Sequence, residues 1–233
     1  MARRRKLSKQ MTKSRSLITN INPRSPISEQ YRTIRTNLQF SAVDTELQTM
    51  LFTSSGAGEG KSTTVANVAV VYAQQGKRVL LIDADLRKPT VHYSFRVDNV
   101  KGLSNLLVDN IPFVEVVHET NVENLHVVTC GPIPPNPSEL LASNKMERMI
   151  EELKQVYDVI LIDSPPVLAV TDAQILSALV DGVVLVVRSK QTEIEAAQKA
   201  VDLLRSSNAK ILGAILNGQD KKHANNYYYY YGQ

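Results

Sequence analysis

The sequence has little cysteine and no long apolar segment. Cys130 is the single cysteine among 233 residues, so no disulfide can form within the chain, which fits a reducing cytoplasm. No apolar run approaches the roughly 18 residues that a membrane span requires, and no apolar stretch of a signal peptide follows the basic N-terminus. These absences predict a cytoplasmic protein that does not itself cross a membrane.

Acidic residues are missing from residues 1–24, which carry eight lysines and arginines. The net charge of the whole chain is only +4, so the basic character belongs to this N-terminal arm and the remainder is net acidic. The arm has no hydrophobic periodicity, and we expect it to be disordered or loosely ordered. It is either a solvated tail or a segment attracted to anionic lipid or an acidic partner at the inner face of the membrane. The acidic body and the lack of a recognition motif argue against nucleic acid as a partner.

A glycine-rich stretch at residues 54–63, SSGAGEGKST, is the strongest motif of the chain. The apolar run 50–53 predicts a strand before it, and helical spacing follows it, which is the context of a phosphate-binding loop. Lys61 would reach the β- and γ-phosphates of ATP, and Ser62 would ligate Mg²⁺, although Ser55 stands where the strict motif has glycine. The nucleotide-binding residues predicted here are Gly56, Gly58, Glu59, Gly60, Lys61, Ser62 and Thr63.

Carboxylates follow two other apolar runs. The run 78–82 leads into Asp83 and Asp85, and the run 158–162 leads into Asp163. Ligands of parallel sheets bind at the carboxyl ends of the strands, so these acids are expected to lie near the phosphate loop. We predict that Lys61, Asp83, Asp85 and Asp163 are the catalytic residues, and that Ser62, Asp85 and Asp163 hold the metal.

Apolar strand segments alternate with helical segments over residues 25–218. This pattern predicts an α/β fold, a single P-loop NTPase-type domain with a mostly parallel sheet and helices on both faces. The predicted strands are 50–53, 78–82, 125–129, 158–163, 182–187 and 211–216. Predicted helices include 102–108, 112–118, a long helix from Ser138 to about Tyr157, and one capped by Thr192 that ends near Ser206.

Two further features lie outside this core pattern. Glu29, Arg32 and Arg35 recur on one face of a predicted helix, either as local salt bridges or as a charged face for a neighbouring subunit. Residues 219–233 form a polar tail that ends in five consecutive aromatics, which no half-buried strand requires. They are Tyr227, Tyr228, Tyr229, Tyr230 and Tyr231.

Taken together, these motifs give a family resemblance. The phosphate loop, the segments Leu80–Arg87 and Ile160–Pro166, the Glu29-x-x-Arg32-x-x-Arg35 helix and the terminal tyrosines make the chain from Ser25 onward resemble the bacterial protein-tyrosine kinases (BY-kinases), of the cytoplasmic Gram-positive type. The resemblance implies transfer of the ATP γ-phosphate to tyrosine, and modification of the tail between chains of a ring-shaped octamer. It also implies a transmembrane adaptor that activates the kinase, control of capsule or exopolysaccharide production, and cytosolic protein substrates.

The resemblance leaves individual roles open. Asp83 is the candidate base for the tyrosine hydroxyl, but Asp83 and Asp85 could exchange roles. Asn217 is either an adenine contact or a plain turn residue. One rival function is an ATP-driven switch like the septum-positioning and plasmid-partition ATPases, whose extra lysine in the loop is replaced here by Gly56. The other is a non-enzymatic nucleotide sensor, which the complete set of Lys61 and acids disfavours.

Overall fold

A seven-stranded sheet runs through the chain in this computed structural model, which describes residues 17–41, 47–109 and 111–219. The strand order is β3-β4-β2-β5-β1-β6-β7, and only β3 is antiparallel to its neighbour. All six predicted strands are present, so the prediction of a mostly parallel α/β sheet is confirmed. The strands are β1 Thr49–Ser54, β2 Val79–Asp83, β3 Val117–Glu119, β4 Leu125–Val128, β5 Val159–Asp163, β6 Gly182–Arg188 and β7 Ile211–Asn217.

Helices cover both faces of the sheet, which is why the central strands are apolar throughout. Alternate side chains of one strand enter different cores: Met50 and Phe52 pack on one face and Leu51 on the other. The first face is covered by α1 Ile18–Ile21, α2 Pro26–Phe40, α3 Lys61–Ala73 and α4 Val91–Phe95. The second is covered by α5 Leu103–Asp109, α6 Pro137–Leu141, α7 Asn144–Lys154, α8 Asp172–Ser177 and α9 Ile194–Ser206. Within the described ranges, no helix is long and apolar enough to span a bilayer.

Three predicted helices differ from the structure. The segment 112–118 contains only a 3₁₀ turn at Phe113–Glu115 before β3, because the chain there pairs with β4 as an edge strand. The long helix predicted from residue 138 is two helices. The Ser143 side chain accepts a hydrogen bond from the Met146 amide and so caps the start of the second helix. Thr192 does not cap α9, whose N-cap residue is Glu193.

Part of the segment predicted to be an N-terminal arm is folded. Leu17 is buried, and the Thr19 amide and hydroxyl both donate to the Asn67 side-chain oxygen on α3, at 3.1 and 2.8 Å. The Gln74 side chain donates to the Thr19 carbonyl at 3.0 Å. These contacts correct the predicted arm of residues 1–24, because residues 17–21 pack on the folded body; residues 1–16 lie outside the described ranges.

Candidate active site

The phosphate loop connects β1 to α3, and its glycines supply backbone conformations that other residues adopt poorly. Gly58 and Gly60 have φ values of 83° and 92°, in the left-handed region. A Cβ atom at Gly60 would also overlap the side-chain amide of Asn217. Ser55 is not among the described residues with positive φ, so a serine fits at this position of the strict motif without backbone strain.

Glu59 points into the protein, where its carboxylate fixes the loop. One carboxylate oxygen accepts a hydrogen bond from the Ser55 amide at 2.9 Å, and the other accepts one from the Thr192 hydroxyl at 2.7 Å. Thr192 in turn accepts a hydrogen bond from the Arg188 amide at 2.8 Å. The Glu59 side chain is therefore committed to positioning the loop, and Thr192 is a supporting residue that the sequence analysis assigned to a helix cap instead.

Lys61 lies at the centre of the acidic cluster. Its ammonium donates to Asp163 Oδ1 at 2.7 Å, lies 3.6 Å from Asp85 Oδ2, and is 3.2 Å from the Ser62 hydroxyl. Burial by itself lowers the pKa of Lys61, but the charges of Asp163 and Asp85 outweigh this effect and raise it. The structure thus brings together the predicted lysine, the serine and two of the three acids.

Asp83 is completely buried behind this cluster. Its Oδ2 accepts hydrogen bonds from the Thr90 and Val91 amides, both at 3.0 Å, and its Oδ1 accepts one from the Asp85 amide at 3.3 Å. Burial first, and then the nearby charge of Asp163, raise the pKa of Asp83 to about 7. Asp83 therefore orders the backbone that carries Asp85, and its carboxyl group can hold a proton near neutral pH.

The residues fit a magnesium ion. Asp163 Oδ2 is buried without a hydrogen-bond partner although Oδ1 binds Lys61, and the Ser62 hydroxyl lies beside the same ammonium. Complete burial raises the pKa of Asp163, which the Lys61 charge opposes. No three acidic, histidine or cysteine side chains converge as a metal cage within the described ranges. Mg²⁺ at a phosphate site is held largely by substrate phosphates and water, so such a cage is not required.

A second ion pair holds the loop that carries Asp85. The Arg87 guanidinium binds the fully buried Asp172 through two hydrogen bonds of 2.9 Å, and Ser138 bonds to both partners. The Arg87 amide itself donates to Asp85 Oδ1 at 3.4 Å. Sequence reasoning included Arg87 in a motif but missed Asp172 and Ser138, because their contacts depend on which loops the fold brings together.

Asn217 ends β7 next to the phosphate loop. Its amide nitrogen donates to the Glu59 carbonyl at 2.9 Å, and Arg188, at the end of β6, donates to the Gly58 carbonyl at 2.9 Å. The two side chains brace the loop from its outer side. Contact between Asn217 and adenine stays a prediction.

The three charged residues of α2 do not act alike. Arg32 pairs with Glu29 on the same helix and donates to the Pro23 carbonyl at 2.8 Å. Arg35 instead donates to the Val71 carbonyl at 2.8 Å and ties α2 to α3. A role for these residues between subunits stays a prediction, and the five tail tyrosines lie outside the described ranges.

The geometry and the fold define a class: a P-loop nucleotide-binding domain with a lysine, a serine and acids gathered at the carboxyl ends of parallel strands. Residues 47–212 match the family model of an AAA domain. The domain also resembles the septum site-determining protein MinD complexed with Mg-ADP from Pyrococcus horikoshii, with 25% identity, a TM-score of 0.63, and coverage of 75% of this chain and 72% of that one.

Closer relatives are kinases. The tyrosine-protein kinase YwqD of Bacillus subtilis is 50% identical over 216 residues, which are 93% of this chain and 91% of that protein. The crystal structure of the chimerical protein CapA2B2 matches with 44% identity and a TM-score of 0.85, covering 88% of this chain and 90% of that one. The chain therefore belongs to the bacterial protein-tyrosine kinases, and it is an enzyme that transfers phosphate from ATP to protein tyrosine.

Proposed function

We propose that this kinase uses Mg-ATP to phosphorylate its own C-terminal tyrosines in trans, and that it regulates capsular or extracellular polysaccharide synthesis together with a transmembrane adaptor. The observation that carries the proposal is the buried cluster in which Lys61, Asp85 and Asp163 meet beside Ser62. A loose phosphoryl-transfer transition state needs this kind of alignment and charge neutralisation more than covalent help.

In this proposal the loop amides and Lys61 hold the ATP phosphates, and Ser62, Asp85 and Asp163 hold Mg²⁺. When bound, the ion neutralises charge on the transferred phosphate. Lys61 contacts Asp163 Oδ1 at 2.7 Å, and because an ammonium group has three N–H donors it would also be able to bind the phosphates. Asp163 Oδ2, which has no hydrogen-bond partner, is the oxygen that would be available to the metal.

Asp83 is the proposed base for the attacking phenol, whose ordinary pKa is about 10. A pKa of about 7 in the metal-free site suits a group that accepts a proton near neutral pH. Both of its oxygens accept hydrogen bonds from backbone amides, so residues 84–91 have to shift before a tyrosine can approach it. Asp85 is less enclosed and remains the alternative base.

Transfer in trans is supported by the place where the tail begins. The described chain ends at Gln219, just after β7, which is the outermost strand of the sheet. The eight residues Gln219 to Asn226 reach at most about 29 Å when fully extended. The tail thus starts on the outside of the domain, where a neighbouring chain in a ring, which we propose to be an octamer, can present its site.

The test mixes two chains with Mg-ATP. A Lys61→Met chain supplies intact tyrosines, and an active chain with all five tail tyrosines changed to phenylalanine supplies the site. Phosphotyrosine on the Lys61→Met chain is the expected result. An unlabelled Lys61→Met chain that is correctly folded would exclude the tail as a trans substrate. If the parent enzyme itself forms no phosphotyrosine with Mg-ATP, an ATP-driven switch would be favoured.

The cellular role follows from the same proposal. Recruitment to the inner face of the membrane would come through the adaptor, and cytosolic proteins would be further substrates. Adding the cytoplasmic end of the adaptor should raise kinase activity if the partnership is correct. Unchanged activity at saturating adaptor would separate the kinase from that partner.

A further inference from the structure

Three loops meet at the side chain of Arg87, beside the acidic cluster. They follow β4, β2 and β5, which are neighbours in the sheet, and they lead into α6, α4 and α8. Ser138 lies in the first turn of α6, and Asp172 is the first residue of α8. Arg87 therefore connects the carboxyl ends of three adjacent strands, and two of these strands lead to Asp85 and Asp163.

The three side chains form a closed triangle of hydrogen bonds. Arg87 Nε and Nη2 donate to the two carboxylate oxygens of Asp172, each at 2.9 Å. Nη2 also donates to the Ser138 hydroxyl at 2.9 Å, and this hydroxyl donates to Asp172 Oδ1 at 2.9 Å. Because Asp172 is fully buried, the guanidinium compensates a charge that water cannot reach. Its planar fork sets the direction of these bonds, which a lysine ammonium cannot do.

The orientation of the Asp85 carboxylate depends on the backbone that Arg87 anchors. Asp85 Oδ1 accepts hydrogen bonds from the Lys88 amide at 2.9 Å and the Arg87 amide at 3.4 Å. The other oxygen, Oδ2, lies 3.6 Å from the Lys61 ammonium. The amides that orient Asp85 thus belong to the residue held by Asp172 and to the residue after it. A displacement of this backbone would turn the carboxylate away from Lys61.

The same ion pair also controls the separation of the two predicted carboxylate ligands of the metal. The ladder between β2 and β5 ends with the pair Asp83 and Asp163. Asp85 lies beyond this ladder, so its distance from Asp163 is set by loop contacts and not by the sheet. Asp172 belongs to the segment that follows Asp163, and its bonds to Arg87 join the two ligand-bearing segments a second time.

We propose that Asp172 and Ser138 are positioning residues for the kinase reaction, which act through Arg87 to hold Asp85 in the orientation that binds Mg²⁺. The proposal rests on the metal role proposed above for Asp85. Groups that hydrogen-bond to a metal ligand and orient it typically change metal affinity by about 10- to 100-fold when they are replaced. The triangle acts one step further away, through backbone amides, so the effect should lie at or below the lower end of this range.

The test compares the affinity for ADP in Mg²⁺ with the affinity for ADP in EDTA, both measured by calorimetry on the full chain. The ratio of the two dissociation constants is the Mg²⁺-dependent gain, and it requires no catalysis. Arg87→Lys keeps a charge for the buried carboxylate but loses the fork, and Asp172→Asn keeps the shape but loses the charge. Ser138→Ala removes the hydroxyl alone, and Ser138→Thr restores one.

Arg78→Lys is the matched control, because Arg78 and Asp158 tie the same two strands at their opposite ends. The Arg78 amide and guanidinium donate to the Asp158 carboxylate at 2.7 and 3.2 Å, immediately before β2 and β5 begin. A general loosening of the two strands would appear in this control as well. We expect the Mg²⁺-dependent gain of Arg78→Lys to equal that of the parent.

Arg87→Lys and Asp172→Asn should each reduce the Mg²⁺-dependent gain by about five- to tenfold. Ser138→Ala should reduce it less, Ser138→Thr should restore it, and the affinity for ADP in EDTA should stay at the parental value. Equal losses of affinity in EDTA and in Mg²⁺ would overturn the proposal, since they would reveal a merely structural role. An effect of Arg87→Lys alone would also overturn it and indicate direct contact of Arg87 with phosphate.

Two further comparisons keep the outcome decisive. If an ion-pair variant does not unfold cooperatively in urea, Ser138→Ala against Ser138→Thr decides the question, because that change leaves both charges of the ion pair in place. A parental Mg²⁺-dependent gain in Asp85→Asn would remove Asp85 as a ligand and overturn this proposal with the metal assignment. A reduced gain in Asp85→Asn, with parental gains in the three variants of the triangle, would keep the metal assignment and overturn the positioning alone.

Discussion

Replacing Lys61 by methionine should destabilise the metal-free protein as well as remove its activity. The sequence presents Lys61 as a loop side chain that faces phosphate. In the structure its side chain is only 7% exposed and its ammonium contacts Asp163, whose side chain is fully buried, at 2.7 Å. Methionine keeps most of the side-chain volume but removes the one charge that compensates this buried carboxylate.

The expected loss in the free energy of unfolding is about 3 to 5 kcal/mol at pH 8, the usual cost of leaving one partner of a buried ion pair unpaired. For a chain of this size each kcal/mol changes the melting temperature by roughly 3 °C, so the midpoint should fall by about 10 °C. A matched control is Lys101→Met, because Lys101 and its partner Glu115 are both exposed. Loss of that surface pair should cost less than about 1 kcal/mol.

The loss of stability caused by Lys61→Met should increase as the pH rises. Without the Lys61 charge, the pKa values of the buried Asp163 and Asp83 rise further above those of the unfolded chain. A raised carboxyl pKa in the folded state means that stability declines as pH rises from about 4 through the folded-state pKa. The difference between Lys61→Met and the parent should therefore be largest at pH 8 and small at pH 5.

Urea unfolding at both pH values, with and without Mg²⁺, measures this effect. Added Mg²⁺ should recover part of the stability of Lys61→Met at pH 8, because the ion supplies positive charge to the same carboxylates. An equal loss at pH 5 and pH 8 would show that the lysine stabilises the site by packing rather than by charge. A loss as small as that of Lys101→Met would refute the ion-pair reasoning altogether.

Four other variants test the remaining assignments. The stability of Asp83→Asn relative to the parent should be higher at pH 8 than at pH 4 in urea unfolding, because the change removes a carboxyl whose folded-state pKa is raised to about 7; it should also lower kcat by orders of magnitude. Asp163→Asn should lower kcat similarly at saturating Mg²⁺, and near-parental turnover would mean that it is no metal ligand. Glu29→Ala with Arg32→Ala should reduce the assembly mass in light scattering with little loss of stability, whereas Arg35→Ala should cost about 1 to 2 kcal/mol because the Val71 carbonyl loses its charged donor.

The sequence predicts the sheet well because each central strand is apolar on both faces and ends at a recognisable turn. The pattern is local, so it can be recognised without knowing which strands are neighbours. It fails at β3, where three residues form an edge strand only because β4 lies beside them. It also fails at Ser143, where a single cap ends one helix and begins another inside a continuous helical pattern.

Motif spacing predicts the ligand-facing atoms of the site, but not what those atoms contact when the ligand is absent. Lys61 and Asp163 are 102 positions apart in the chain, and their contact exists because β1 and β5 are adjacent strands. The same holds for Arg87 and Asp172, which are 85 positions apart. Neither distance leaves a periodic signal in the sequence, so these pairs become visible only once the strand order is known.

The contact between Lys61 and Asp163 affects how the inactive Lys61→Met chain should be used. A Lys61→Met chain is the natural recipient in the mixing experiment, because the phosphate loop loses its cation. The same change should also lower the free energy of unfolding in a pH-dependent way, since Asp163 and Asp83 are both completely buried. An unlabelled recipient at pH 8 without excess Mg²⁺ could then reflect unfolding rather than the wrong substrate. The mixing experiment is therefore decisive only near pH 7 with Mg²⁺ present, and only when the recipient unfolds in urea with the same slope as its parent.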